Sequence, residues 1–163
     1  APKGYEVNPE MISNAYRKWY AEQGRLGLQD EPLYPGMFEL IHDFKNNKEF
    51  NIGVATNKSR IALNNGLKKH NLNDVFDITL TMEEAKPKPD PDMAIQAMSK
   101  LNIEKKSTVI VGDTINDIGL GVNAGINSIG VAWGYNSIEM LCNQGADFIV
   151  KDSKELFDTI INL

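Results

Sequence analysis

The run Thr108-Val109-Ile110-Val111-Gly112-Asp113-Thr114-Ile115-Asn116-Asp117 constrains the fold of this 163-residue chain more than any other stretch. A block of β-branched apolar residues without polar alternation reads as a strand buried on both faces, the habit of parallel sheets. The strand stops at an acidic, turn-forming group, and Ala124-Gly125 closes a helix downstream. Asp113 is therefore expected at a strand tip. If the helix begins near Thr114, Asp117 lies in its first turn, and its side chain leans back toward that tip. Two readings follow. Either the two carboxylates converge on a hard divalent cation such as Mg2+, or Asp113 caps the helix and Asp117 answers the positive end of its dipole.

The length suits one ordinary domain with room for a real core. A formal net charge of -5 and the lack of a Lys/Arg block exclude the electrostatic footprint of a nucleic-acid or anionic-membrane binder. Small-molecule chemistry is the expectation. Cys142 is the single cysteine, so no internal disulfide can form and a cytoplasmic home fits. No apolar run reaches the length of a membrane span, and Ala1-Pro2-Lys3-Gly4 lacks the layout of a signal peptide. Without an initiator Met, the first residue is not expected to be the start of the gene product.

Residues 8–24 form an amphipathic helix with Ile12, Ala15, Tyr16, Trp19 and Tyr20 on one face. This stripe needs a partner: the main body, a second chain in a homo-oligomer, or a helical subdomain. Residues 24–32 read as a linker. From Pro35 onward helices alternate with strands. Helices are expected from Pro35-Gly36 to about residue 46, and over residues 59–70, 91–101, 114–124, 137–142 and 153–161. Strands are expected over 51–55, 76–80, 108–113, 128–132 and 148–150. Such spacing implies right-handed βαβ units and an α/β fold, with a parallel sheet covered by helices on both faces. Ligands in such sheets bind beyond the carboxyl ends of the strands.

Three loops lie there. Thr56-Asn57 leads from a strand into a helix, where a hydroxyl and backbone N–H groups suit an anion such as phosphate, or simply cap the helix. The loop Lys86-Pro87-Lys88-Pro89-Asp90-Pro91 is stiffened by alternating prolines, which hold a lysine in a defined direction. Spacing alone does not choose between Lys86 and Lys88. Trp133-Gly134-Tyr135-Asn136 follows the next strand, with two aromatic rings suited to packing or to substrate contact and Asn136 suited to capping.

In this order, a tip threonine, a K-P-x-P-D-P loop and G-D-x-x-x-D, together with Gly130-Val131-Ala132-Trp133-Gly134-Tyr135, resemble the haloacid dehalogenase superfamily, and within it the phosphoglycolate phosphatase branch. The resemblance runs from about Leu33 to the C-terminus. It implies a three-layer Rossmann-like core and Mg2+-dependent hydrolysis of a small phosphorylated metabolite through a phospho-aspartyl intermediate. It puts phosphoryl binding on Thr56, with Asn57 beside it. It puts charge neutralisation and orientation of the nucleophile on Lys86, and Mg2+ on Asp113 and, directly or through water, on Asp117.

The family also opens with a strand ending in D-x-D-G-[TS], whose first acid is the nucleophile. This sequence contains no such motif; its single D-x-D, Asp90-Pro91-Asp92, lies in the proline loop. The resemblance therefore implies residues 1–31 as the remainder of a helical cap with its linker, and residues 32–163 as a core without its first strand, leaving two strands with unpaired edges. Two functions compete. One is a phosphatase whose complete form carries the nucleophile, this chain alone being inactive or nearly so. The other is a non-catalytic protein that binds Mg2+ and a phosphorylated ligand or protein partner.

Overall fold

The computed structural model describes Met11, Ile12, Asn14, Ala15, Lys18, Trp19, Glu22 and residues 31–163. Those seven early residues are helical; Tyr16, Tyr20 and the expected limits of that helix lie outside the described residues. The chain divides into two units, Ala1–Pro32 and Leu33–Leu163, and every described strand belongs to the second.

In that unit the order is α1 (Met37–Asn46), β1 (Gly53–Thr56), α2 (Arg60–Lys69), β2 (Ile78–Thr81), α3 (Asp92–Leu101), β3 (Val109–Gly112), α4 (Ile115–Ala124), β4 (Asn127–Val131), α5 (Ile138–Gln144), β5 (Phe148–Val150) and α6 (Ser153–Ile161). Short polar side chains start α2, α4, α5 and α6. Ser59, Ser137 and Asp152 each accept a hydrogen bond from the backbone N–H three residues on, which satisfies one of the donors that a helix start leaves open. Gly125 ends α4 in the left-handed conformation, at φ 68°, where a side chain would be strained.

Every strand pair is parallel. β1 lies beside β2 with Thr56 opposite Thr81, while β3, β4 and β5 form a second ladder with Gly112 opposite Gly130 and Val131 opposite Val150. The α/β class is as expected, but the parallel sheet is in two pieces. Among the described residues β1 pairs only with β2, and β3 only with β4 on its own side of the ladder. A cleft of about 770 Å3 is lined by Val54 and Ala55 of β1, Val109 and Ile110 of β3, Met93 of α3 and Leu120 of α4, among others.

Two cores cover the two faces. Leu80, Met93, Met98, Leu120 and Ala124 cluster on one side, with Ala55 of one ladder and Ile110 of the other packed against them. Leu40, Phe44, Ile129, Val131, Val150 and Leu156 cluster on the opposite side, with Val109 and Val111 against them. Successive residues of β3 thus point to opposite faces, and both faces are apolar, which is why its sequence shows no alternation. Among the described residues no helix is long and apolar enough to cross a membrane.

The end of β2 is tied to the start of α2 by Arg60. Its guanidinium donates to Glu84 at 3.0 and 2.8 Å, and to the hydroxyl and carbonyl of Thr79 at 2.7 and 3.0 Å. Glu84 also accepts from the Thr81 N–H and hydroxyl at 2.8 and 2.7 Å. The Arg60 guanidinium, and next the Thr81 hydroxyl, hold the Glu84 carboxyl down at about 2 from an ordinary 4.5. A carboxyl depressed by folding stabilises the protein above its unfolded pKa, and that contribution is lost as pH falls through the folded one. Glu84→Gln should therefore cost about 1 kcal/mol near neutral pH, a value reduced by solvent screening of this partly exposed group. Melting temperatures should converge for the two proteins as pH is lowered from about 5 toward 2; parallel pH curves would show that the ion pair adds nothing to stability.

Candidate active site

The tips of β1 and β3 are brought to one rim by Lys88. Its ammonium donates to the Ala55 carbonyl in β1 at 2.7 Å and pairs with Asp117 Oδ1 in the first turn of α4. The side chains of Lys88 and Asp117 are 12% and 8% exposed, so this is an ion pair largely removed from water. Both acceptors are fixed beside the ammonium, which offsets the cost of taking the pair out of water. With two of its three N–H groups occupied, one remains for a further acceptor.

Asp117 has a second duty. Its Oδ2 accepts from the Thr114 N–H at 3.0 Å and from the Thr114 hydroxyl at 2.6 Å, while Thr114 Oγ1 accepts from the Asp117 N–H, closing a capping box around the start of α4. The fold makes space for this carboxylate at Gly112, where an added Cβ would sit 2.2 Å from Asp117 Cβ. A methyl group there would drive Asp117 off both Thr114 and Lys88.

Asp113 follows β3 directly. Its Oδ2 accepts from the Tyr135 N–H at 2.9 Å, and its carbonyl accepts from the Asn136 N–H at 3.0 Å, so the loop after β4 wraps around it. Gly134 permits the approach, since a Cβ there would lie 2.0 Å from Asp113 Cβ. Asn136 does cap a helix, but α4 rather than its own: Oδ1 accepts from the Ile115 N–H at 2.8 Å. Partial burial, and then the Asp113 carboxylate and Tyr135, raise the Tyr34 phenol above its ordinary pKa, which sets this unanticipated residue on the same rim.

Thr56 ends β1 between the two residues that hold the lysine loop, Ala55 and Asn57. Its hydroxyl accepts from the Lys58 N–H at 3.1 Å; α2 itself is capped by Ser59, which leaves Thr56 at the rim rather than at the helix start. Asn57, expected beside the phosphate, instead spends its amide on Lys88: Oδ1 accepts from the Lys88 N–H at 2.8 Å and Nδ2 donates to the Lys88 carbonyl at 3.0 Å.

Lys86 is the expectation that the structure corrects. Its side chain is 73% exposed and reaches Asp90 at 3.8 Å, away from Ala55 and Asp117, so Lys88 is the lysine at the rim. The physical reason lies in the loop. The Lys86 N–H donates to Asp92 at the start of α3 and the Asp90 N–H donates to the Pro87 carbonyl, a turn that sends Lys86 outward and Lys88 inward. Asp117, expected as a metal acid, has both oxygens engaged by Lys88 and Thr114. For Mg2+, the donor set therefore fits in part. Asp113 offers a hard carboxylate held by a single backbone donor, and among the described residues no three His, Cys, Asp or Glu side chains gather into a metal cluster.

Comparison with known proteins gives this arrangement a lineage. The chain is 31% identical over 150 residues to the pyrophosphatase PpaX of Bacillus velezensis, a match covering 90% of this chain and 66% of the relative. Among solved structures, a candidate phosphoglycolate phosphatase of Lactobacillus delbrueckii matches with a TM-score of 0.70 at 28% identity, over 78% of this chain and 53% of that one. A haloacid dehalogenase-like family hydrolase of Streptococcus pneumoniae matches in fold with a TM-score of 0.81 at 20% identity, over 94% of this chain and 71% of that one. The chain thus spans just under two thirds of the first relative and about half of the second protein. The family model described as haloacid dehalogenase-like hydrolase matches residues 3–131, and the chain belongs to that family.

Proposed function

We propose that the rim is the phosphoryl-holding half of a Mg2+-dependent phosphatase that acts on small phosphorylated compounds through a phospho-aspartyl intermediate. One observation carries this reading: the ammonium of Lys88 is locked beside Thr56 by Ala55 and Asp117, with an N–H to spare. A fixed cation and a hydroxyl beside it meet the needs of a phosphoryl dianion whose charge must be neutralised without motion. The relatives named for pyrophosphatase and phosphoglycolate phosphatase act in their names on such phosphoryl groups.

In this reading Thr56 binds a phosphoryl oxygen, Lys88 neutralises charge and orients the attacking carboxylate, and Asp117 holds Lys88 in place. Asp113 holds Mg2+, whose contribution is to draw charge from the phosphoryl oxygens. The attacking carboxylate is the part this sequence does not supply, since it has no D-x-D-G-[TS]. The cleft lies between β1 and β3, and among the described residues the unpaired edges of these two strands suit a further strand that would carry such an acid to Lys88. Without that acid the same residues bind and do not turn over, so for the 163-residue chain the non-catalytic reading and the incomplete-enzyme reading predict the same behaviour.

Two outcomes follow. With Mg2+ present, hydrolysis of p-nitrophenyl phosphate, 2-phosphoglycolate and pyrophosphate by this chain should stay near background, because loss of a nucleophile costs several powers of ten in rate. Robust turnover abolished by Asp113→Asn would mean that an acid already in the chain attacks phosphorus. Inorganic phosphate binding, read by calorimetry, should weaken by about tenfold in Lys88→Gln, the worth of one charge-assisted hydrogen bond, and stay unchanged in Lys86→Gln. The reverse ranking would return the role to Lys86.

A further inference from the structure

We infer that Asn57 is the positioning residue for Lys88, a clamp that sets where the ammonium can stand, rather than a phosphate ligand. The inference rests on the reading of Lys88 as the rim cation. It starts from what the loop lacks. Pro87 and Pro89 have no N–H, so between residues 87 and 89 only Lys88 offers a backbone donor. Asn57 takes that donor at 2.8 Å and returns its own N–H to the Lys88 carbonyl at 3.0 Å. One side-chain amide thereby pairs with one residue's backbone at two points, as a neighbouring strand would. A single bond would leave the peptide free to swivel; two fix its plane.

A lysine has four rotatable bonds between backbone and charge, and freezing them is costly in entropy. Here both ends are held. Asn57 fixes the backbone, while Ala55 and Asp117 fix the ammonium. Asn57 itself is exposed and follows Thr56 directly, so the clamp ties the lysine to the same strand tip that presents the hydroxyl. The loop has a second anchor that separates positioning from plain stability: Asn123 Nδ2 donates to the Pro89 carbonyl at 2.9 Å and touches neither the backbone nor the charge of Lys88.

The test uses the 163-residue chain and its Asn57→Ala, Asn57→Gln and Asn123→Ala variants. Lysine acetylation by a soluble active ester is followed residue by residue by mass spectrometry, alongside calorimetry with inorganic phosphate and thermal melts to confirm folding. In the parent, Lys88 should react more slowly than Lys86, whose side chain is 73% exposed against 12%. In Asn57→Ala, and likewise in Asn57→Gln, where the amide is displaced by one methylene, Lys88 should acetylate at least about fivefold faster with Lys86 unchanged. Phosphate binding should weaken by about tenfold, as for two hydrogen bonds lost. Asn123→Ala should alter neither. Continued protection of Lys88 in both folded Asn57 variants, or equal exposure in Asn123→Ala, would overturn the clamp. A parent that binds no phosphate would instead count against the proposed function, while acetylation would still decide the role of Asn57.

Discussion

The structure depends on one ammonium placed across two half-sheets. Lys88 takes a backbone carbonyl from β1 on one side and a carboxylate from the start of α4 on the other. Removing two charges from water is expensive, and their mutual attraction only offsets it when the geometry is held and the remaining lone pairs are satisfied. Both conditions are met here, because the second oxygen of Asp117 is consumed by Thr114. Stripping either partner would leave an uncompensated charge, a loss on the order of 3–5 kcal/mol for a buried pair. An arrangement that costly is poor cement. It is a good way to fix a cation at a rim where ligands of parallel sheets bind.

Around that pair the backbone does most of the placing. Gly112 lets the Asp117 side chain fold back over the end of β3, and Gly134 lets the loop after β4 close on Asp113. Asn136 reaches from that loop to the first N–H of α4, so the helix start is held by its own Thr114 and by a residue more than twenty positions on. The Arg60 and Glu84 network does the same at the other ladder, joining the end of β2 to the start of α2. Two separate ladders thus present a common set of loop ends.

The sequence made the order of elements readable because each strand and helix carries its own periodicity. The apolar run at β3 and the Gly125 stop are local signals. They appear in the structure within a residue or two of the expected bounds. The family membership was readable from the spacing of the tip motifs. What was not readable depends on contacts between distant residues. Lys86 and Lys88 both precede proline, and only the hydrogen bond from Lys86 to Asp92 and the grip of Asn57 decide which one turns inward. The capping of α4 by Asn136, the presence of Tyr34 at the rim and the engagement of both Asp117 oxygens are likewise tertiary facts. A one-dimensional pattern marks Asp117 as an acid near a tip without saying what it will hold.

Because a single carboxylate serves both the first turn of α4 and the lysine, fraying of that helix and release of the cation are one event. Amide protons at the start of α4 and the orientation of Lys88 would report the same local opening equilibrium. The rim charge is thereby assembled as the helix forms, with no separate step in which a folded scaffold waits for its lysine to find a place.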